Sequence, residues 1–504
     1  MGLIKKNIVA NIIGSAWQAI MGLIFVPIYV NFMGIESWGL VGVFAMLQVV
    51  FSLLDMGLSG TLNREMARLS ILSNKQQEMR NLVRTLEIIY WGVAILSGIA
   101  TVLFSPFIAN NWINTGQLSP KVIEQSILIM GCIIVIQLPL SFYTGGLLGL
   151  QKQVVLNVIN ASIATLRGIG AIFVLWLISP NIKAFLLWQI IISTINVFFI
   201  AIYFWRHLPV SDERPVFEKK LFFGIWRFTV GMSGIAILSV ILTQIDKIIL
   251  SKMLSLEMFG YYTLASVVAI NLTRFFSPIF YSIYPRFTQL VSINNQEELT
   301  RLYHKSCQFM SVLVLPAAII IALFSYEILL LWTRNQAIAE KSYIILSILV
   351  CGTAINGIMN FPYALQLAFG WTSLSFFKNV IAVVLVVPLI IYMAGNHGAV
   401  GAASVWLILN LGYFFFEITI IHRKLLIKEK WRWYWQDVCL PLIACAIVAG
   451  LGRMLMDKHM NEFIMLIYLI VVSILTFGVA VITTPVARSW LFKQLLKVKL
   501  ACGY

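Results

Sequence analysis

Predominantly apolar stretches, most close to or above the roughly 20 residues that a helix needs to cross a bilayer, recur along the whole chain between short polar segments. Fourteen are counted, at about 8–31, 38–60, 85–107, 122–150, 154–177, 184–204, 229–252, 260–284, 307–331, 342–369, 374–393, 399–420, 438–455 and 463–483. The pattern predicts an all-α polytopic membrane protein of about fourteen transmembrane helices.

Composition agrees. The 504 residues are 60% hydrophobic and 11% charged, where soluble domains hold about 45–50% apolar and about 25% charged residues. Lys5 and Lys6 precede the first apolar run, which exceeds the 7–15 residues of a secretory signal and is followed by no small-residue cleavage site. That run is expected to be a retained first span.

An even count puts both termini on one side. With the N-terminus in the cytoplasm, 26 of the 36 Lys and Arg lie inside, 7 outside and 3 within spans, as the positive-inside rule requires. The richest inner segments run from Arg64 to Arg84, Arg206 to Arg227, Arg423 to Arg432 and Arg488 to Lys499. The net charge of +16 therefore reports topology and contact with anionic lipid headgroups, not nucleic acid. Trp431, Trp433, Tyr434 and Trp435 beside Lys430 and Arg432 read as an interfacial aromatic belt. The six cysteines, Cys502 among them, form no CxxC pair, and the five histidines have no i,i+4 partner, so no metal site or disulfide framework is expected.

A weak internal duplication runs through the chain. Glu36-Ser37-Trp38-Gly39 recurs as Glu257-Met258-Phe259-Gly260, Cys132 and Phe142 as Cys351 and Phe361, and Trp188 as Trp406. The offsets lie between 218 and 221 residues, a period of six spans. Six is even, so the units should be parallel repeats with the substrate site at the bilayer midplane. The expected division is a first lobe at 1–217, a second at 218–430, and two further spans with a cytoplasmic tail at 431–504.

Pro27, then Gly34-x-Glu36-x-x-Gly39-Leu40, then Leu54-Asp55-x-Gly57-Leu58 and Arg64 resemble the opening of the polysaccharide-transporter family, the Wzx-type flippases. Gly149-Leu150-Gln151-Lys152 resembles the end of that family's fourth span, and Asp246 with Gly260-Tyr261-Tyr262 the opening of its second lobe. The family belongs to a superfamily that also holds lipid II flippases and multidrug antiporters. The resemblance implies a bacterial inner-membrane flippase, not an enzyme. It would turn undecaprenyl-diphosphate-linked oligosaccharide units from the cytoplasmic to the periplasmic leaflet by alternating access. A polymerase or ligase would act on the product.

Three cations lie deep within predicted spans: Arg167, Lys247 and Arg274. A charge in hydrocarbon is costly, so each is expected to face a wet interior and to contact a diphosphate or an acidic sugar. Asp246 adjoins Lys247, and neighbouring positions on a helix diverge by about 100°; Asp246 is read as a base's partner or a protonatable coupling group. Asp55 and Arg64 near the end of span two, with Glu87 and Arg84 at the start of span three, are candidates for an ion-paired inner gate. Polar span residues such as Asn157, Asn160, Gln244 and Asn271, and the in-span prolines Pro27, Pro139, Pro278, Pro316, Pro362 and Pro388, complete the inventory. No cofactor is expected, and proton or sodium coupling is left open.

Three alternatives fit less well. A multidrug antiporter would place acids in its first lobe and a lipid II flippase would place arginines in span one, which here holds neither acid nor base. A membrane glycosyltransferase or polymerase would need an external loop with acids or arginines, yet the longest, about 108–121, has neither. The GxxxxGK[ST] loop of ATP-driven transport is absent from the sequence.

Overall fold

The computed structural model describes residues 3–70, 72, 75–114, 116–211, 213–457, 460–485 and 488; the basic segment 489–499 and Cys502 lie outside them. Among the described residues the chain is helical, with no strand. Eleven segments are long and apolar enough to span a membrane. One of them, Thr372–Lys424, holds two of the predicted spans, divided at Gly398, whose φ of 56° and ψ of −140° suit glycine alone. With that division and two further helical stretches, Lys219–Met253 and Leu256–Ser292, the fold is compatible with fourteen crossings.

The chain divides into two compact units, Met1–Gly260 and Tyr261–Tyr504. The first holds α1 (Leu3–Met33), α2 (Ile35–Phe51), α3 (Leu58–Leu69), α4 (Gln76–Phe107), α5 (Pro120–Gly149), α6 (Gln153–Leu177), α7 (Ile182–His207) and α8 (Lys219–Met253). α8, which the duplication assigns to the second lobe, packs on α2 and α4.

Glycine spacing sets how closely these helices approach, as is usual where packing rather than water drives association. On α5, a methyl group at Gly145 would lie 2.4 Å from the Ser59 carbonyl oxygen, and one at Gly149 the same distance from that of Asn63. α3 and α5 therefore touch backbone to backbone, which gives the Gly149 motif its physical reason. Around the crossing, Leu62, Met66, Leu86, Tyr90, Phe142 and Phe204 form a buried core.

α9 (Leu256–Asn271) begins in the first unit and runs into the second. There follow α10 (Thr273–Ser292), α11 (Gln296–Leu323), α12 (Ser325–Thr333), α13 (Gln336–Ile358), α14 (Asn360–Ala368), α15 (Thr372–Gly412), α16 (Ile418–Lys424), α17 (Lys430–Arg432), α18 (Leu440–Met454) and α19 (Glu462–Thr483). Asn295, Asn335 and Asn461 cap α11, α13 and α19 by accepting from the backbone N–H three residues on, the usual task of an Asn N-cap. The hairpin of α18 and α19 docks on α11 through Ile320, Phe324, Ala449, Leu469 and Val472, so it is packed into the second unit. Large apolar side chains such as Leu103, Trp176, Phe198 and Phe416 stay exposed, as lipid-facing residues do.

Four predicted spans prove to be interrupted, the ninth at Phe324 and the tenth at Met359 among them. The second, expected over 38–60, stops at Phe51, passes through a 3-10 turn at Ser52–Asp55, and restarts at Leu58 after two left-handed residues, Met56 and Gly57. The eighth, expected over 260–284, stops at Asn271 and restarts at Thr273. Ser52 and Leu272 are 220 residues apart, within the 218–221 offset of the expected duplication.

Candidate functional site: deep cations and broken spans

Arg167 is the fifteenth residue of the 25-residue α6, about 21 Å from its start at 1.5 Å per residue. Small neighbours let α1 and α7 close around it. A methyl group at Gly168 would strike the Phe25 ring of α1, and one at Gly170 the Trp188 indole of α7. The Trp188 Nε1–H donates to the Arg167 carbonyl at 3.1 Å, and the Tyr29 hydroxyl donates to that of Gly168 at 3.2 Å. Within the guanidinium, the Nε is buried without a hydrogen-bond partner. Among the described residues it has no carboxylate partner. A half-buried cation lacking a fixed counter-ion is suited to an anion that comes and goes.

Arg274 sits in the first turn of α10, directly after the break in span eight, and is exposed. At that break Asn271 donates to the Val267 carbonyl at 2.7 Å and keeps a buried, unbonded Oδ1. Interrupted helices in corresponding positions of two repeats are a recurrent mark of transporter binding sites.

The expectation that Asp246 and Lys247 diverge is corrected. The Lys247 Nζ lies 3.7 Å from Asp246 Oδ2 and 3.4 Å from the Thr243 carbonyl. Four methylenes let the ammonium fold back along its own helix, so Cβ directions do not decide where it goes.

Asp55, at the broken end of span two, collects three hydroxyl donors. Ser59 lies at 2.8 Å, Ser141 of α5 at 3.0 Å, and Tyr90 of α4 is the third. Arg64 is exposed on α3. Glu87 is nearly buried and held by Arg84 at 2.8 Å, the Tyr143 hydroxyl at 2.5 Å and the Trp205 Nε1–H at 3.0 Å. Asn157 is tied down as well, donating to Asn11 at 2.6 Å and to the Gln153 carbonyl at 2.9 Å.

Several polar clusters join residues far apart in sequence. The Gln48 amide donates to Gln137, which donates to Ser193, at 2.6 and 2.7 Å. In the second unit, His304 bridges Asp437 at 2.5 Å and Glu429 at 2.9 Å through its two ring nitrogens, and Gln308 donates to Asp437 at 2.8 Å. Lys378 pairs with the buried Glu417 at 2.7 Å. Sequence separations of 39 to 133 residues hide these sets from motif reading.

The sequence profile of the family described as polysaccharide biosynthesis protein matches residues 4–291. A protein of Shigella flexneri named "Putative O-antigen transporter" is 23% identical over 408 residues, covering 80% of this chain and 94% of that one. Among solved structures, the lipid II flippase MurJ in an inward closed conformation superposes with a TM-score of 0.70 at 14% identity, covering 97% of this chain and 99% of its own. A multidrug resistance MATE family transporter of the MOP superfamily, inward-facing, gives 0.66 at 14% identity, covering 83% and 95%. The fold is thus that of MOP-superfamily transporters, and these relatives are transporters rather than enzymes. With more than half of its length matched, this multi-pass membrane protein belongs to the polysaccharide biosynthesis protein family.

Proposed function

We propose that the chain is a flippase that carries undecaprenyl-diphosphate-linked oligosaccharide units from the cytoplasmic to the periplasmic leaflet of the bacterial inner membrane by alternating access. Its lobes are the repeat-related segments 1–217 and 218–430, with both termini in the cytoplasm. The observation that carries the reading is Arg167, a mid-span guanidinium with a buried, unbonded Nε. A diphosphate supplies the charge it lacks, and arginine suits bidentate phosphate contact. Arg274, at the break in span eight, is the second anion contact, and Lys247 the third.

Asp246 serves as the group that couples turnover to a proton or sodium gradient, its carboxylate switching between Lys247 and the coupling ion. Arg64 and Glu87 work as the inner gate, with Glu87 anchored on Arg84. The product is handed to a polymerase or ligase, and no cofactor takes part. A relative with an O-antigen transporter's name and a fold shared with a lipid II flippase both support the passenger class.

Depleting the protein in its own host tests the reading. Undecaprenyl-diphosphate oligosaccharide should accumulate at least tenfold, and should stay inaccessible to periplasmic glycosidases in intact spheroplasts. An unchanged pool, or a pool already exposed at the periplasmic face, would refute the function.

A further inference from the structure

The break in span two borders a small, half-open cavity of mixed lining that the anion contacts do not use. It measures about 120 Å³ and is lined by Gln48, Phe51, Ser52, Asp55, Gln137 and Ser141 together with two aliphatic side chains. All of these belong to the first unit. At about 30 Å³ per water in the liquid it has room for roughly four waters, or for one edge of a pyranose ring.

Its setting is costly to build. Met56 is held at a φ of 48°, a left-handed conformation that costs an L-residue with a side chain roughly 1–2 kcal/mol. Asp55 and both glutamines are only partly buried, while Ser52 and Ser141 are exposed. A carboxylate and two amides within spans do not face lipid tails, so the cavity opens on water.

The chemistry of the lining selects the ligand. A monovalent cation would want oxygen acceptors alone, and an anion would want donors without a carboxylate. Here the two are interleaved. Asp55 is an acceptor, and the amides of Gln48 and Gln137 are bonded in series to Ser193 with one N–H each and the Gln48 carbonyl to spare. The Ser52 hydroxyl donates to the Val49 carbonyl and that of Ser141 to Asp55, which leaves the lone pairs of both oxygens as acceptors, and Phe51 adds an aromatic ring. Alternating donors and acceptors beside an aromatic ring complement the vicinal hydroxyls and C–H face of a sugar.

We infer that this cavity is a sugar subsite, taking two adjacent hydroxyls of one residue of the transported oligosaccharide. Asp55 accepts from them, the Gln48 and Gln137 amides donate to them, and Phe51 lies against the ring. The inference rests on the flippase reading above and adds a place where the sugar, rather than the diphosphate, is held.

The test places a photoreactive benzoylphenylalanine at the exposed position 52 of the full-length protein in liposomes. The probe is undecaprenyl-diphosphate oligosaccharide extracted from the host and radiolabelled in its sugars. Irradiation should attach sugar label to the protein, and Gln137→Ala should lower the labelled yield at least fivefold. Ser141→Ala, which removes one exposed hydroxyl, should lower it about threefold in protein that still elutes as a single species. Absence of label from protein that still moves the lipid across the bilayer overturns the subsite and leaves the flippase reading standing, as does a yield indifferent to both substitutions. Label without any movement would keep the subsite and sink the flippase reading. Neither label nor movement would sink both.

Discussion

Gly39 and Gly260 make the same contact in opposite directions: a methyl group at Gly39 would lie 2.2 Å from the Leu256 carbonyl oxygen, and one at Gly260 would lie 2.3 Å from that of Ile35. Ile35 precedes Gly39 by four residues and Leu256 precedes Gly260 by four, so both pairs are related by the 221-residue offset. All four residues lie in the first compact unit. The starts of α2 and α9 thus cross as a local two-fold, each glycine seated on the other helix's first turn, which is how a self-complementary interface is built.

Gly39→Ala and Gly260→Ala should each lower the stability of the purified protein by about 1–3 kcal/mol, the usual cost of forcing volume into a closed contact. Because both perturb one interface, the double variant should depart from the sum of the two by more than about 0.5 kcal/mol. Thermal unfolding in detergent reads this, and strict additivity would contradict a shared contact.

Glu36, three residues before Gly39, accepts from the backbone N–H groups of Gly116, Gln117 and Leu118 at 2.9 to 3.2 Å. Glu36→Ala should make these amides exchange with deuterium at least roughly tenfold faster, since about 1.4 kcal/mol of lost protection corresponds to each tenfold. Unchanged exchange would mean the loop is ordered by other contacts.

Lys378→Met should destabilise strongly, by about 3–5 kcal/mol, because it strands the carboxylate of a buried pair. Glu417 is the buried member, with its side chain 5% exposed against 17% for Lys378. Adding Glu417→Leu should recover most of the loss. Folded yield by size-exclusion chromatography measures both variants, and a double variant no better than the single would refute the pairing as the cause.

Asp437 is fully buried, bonded to His304 and Gln308. Asp437→Ala leaves both partners without their acceptor and should cost about 3–5 kcal/mol. Asp437→Asn keeps a carbonyl for Gln308 and should cost less than half as much. Equal losses in a detergent melting series would mean that cavity formation, not the polar bonds, sets the penalty.

The apolar runs made the helices legible because lipid demands that backbone groups be satisfied within each span. Runs of hydropathy could not show the breaks. Leu54 and Leu58 flank Asp55 closely enough that the apolar run reads on past it, and the interruption comes from Met56 and Gly57 both adopting left-handed conformations. The Gly34 to Leu40 motif was legible as a pattern before its cause was visible: Gly34 turns the chain at a φ of 82°, Glu36 holds a loop, and Gly39 admits Leu256. Arg167 was legible as a lone charge in an apolar run. Its missing counter-ion was not, because the sequence contains acids enough and only packing decides which of them reach it. The pairing of Lys247 with Asp246 was misjudged for a related reason: helical geometry fixes where Cβ points, and a lysine ammonium lies four bonds beyond.

The measurement closest to the central claim is movement of undecaprenyl-diphosphate oligosaccharide across liposomes holding wild-type protein, Arg167→Lys or Arg167→Ala at matched density. Wild type should expose lipid-linked sugar on the far leaflet in a protein-dependent manner. Arg167→Lys should keep part of the rate, and Arg167→Ala should lose at least tenfold, about 1.4 kcal/mol or more of anion stabilisation, at unchanged folded yield. Equal rates for wild type and Arg167→Ala would contradict a mid-span arginine that holds the diphosphate.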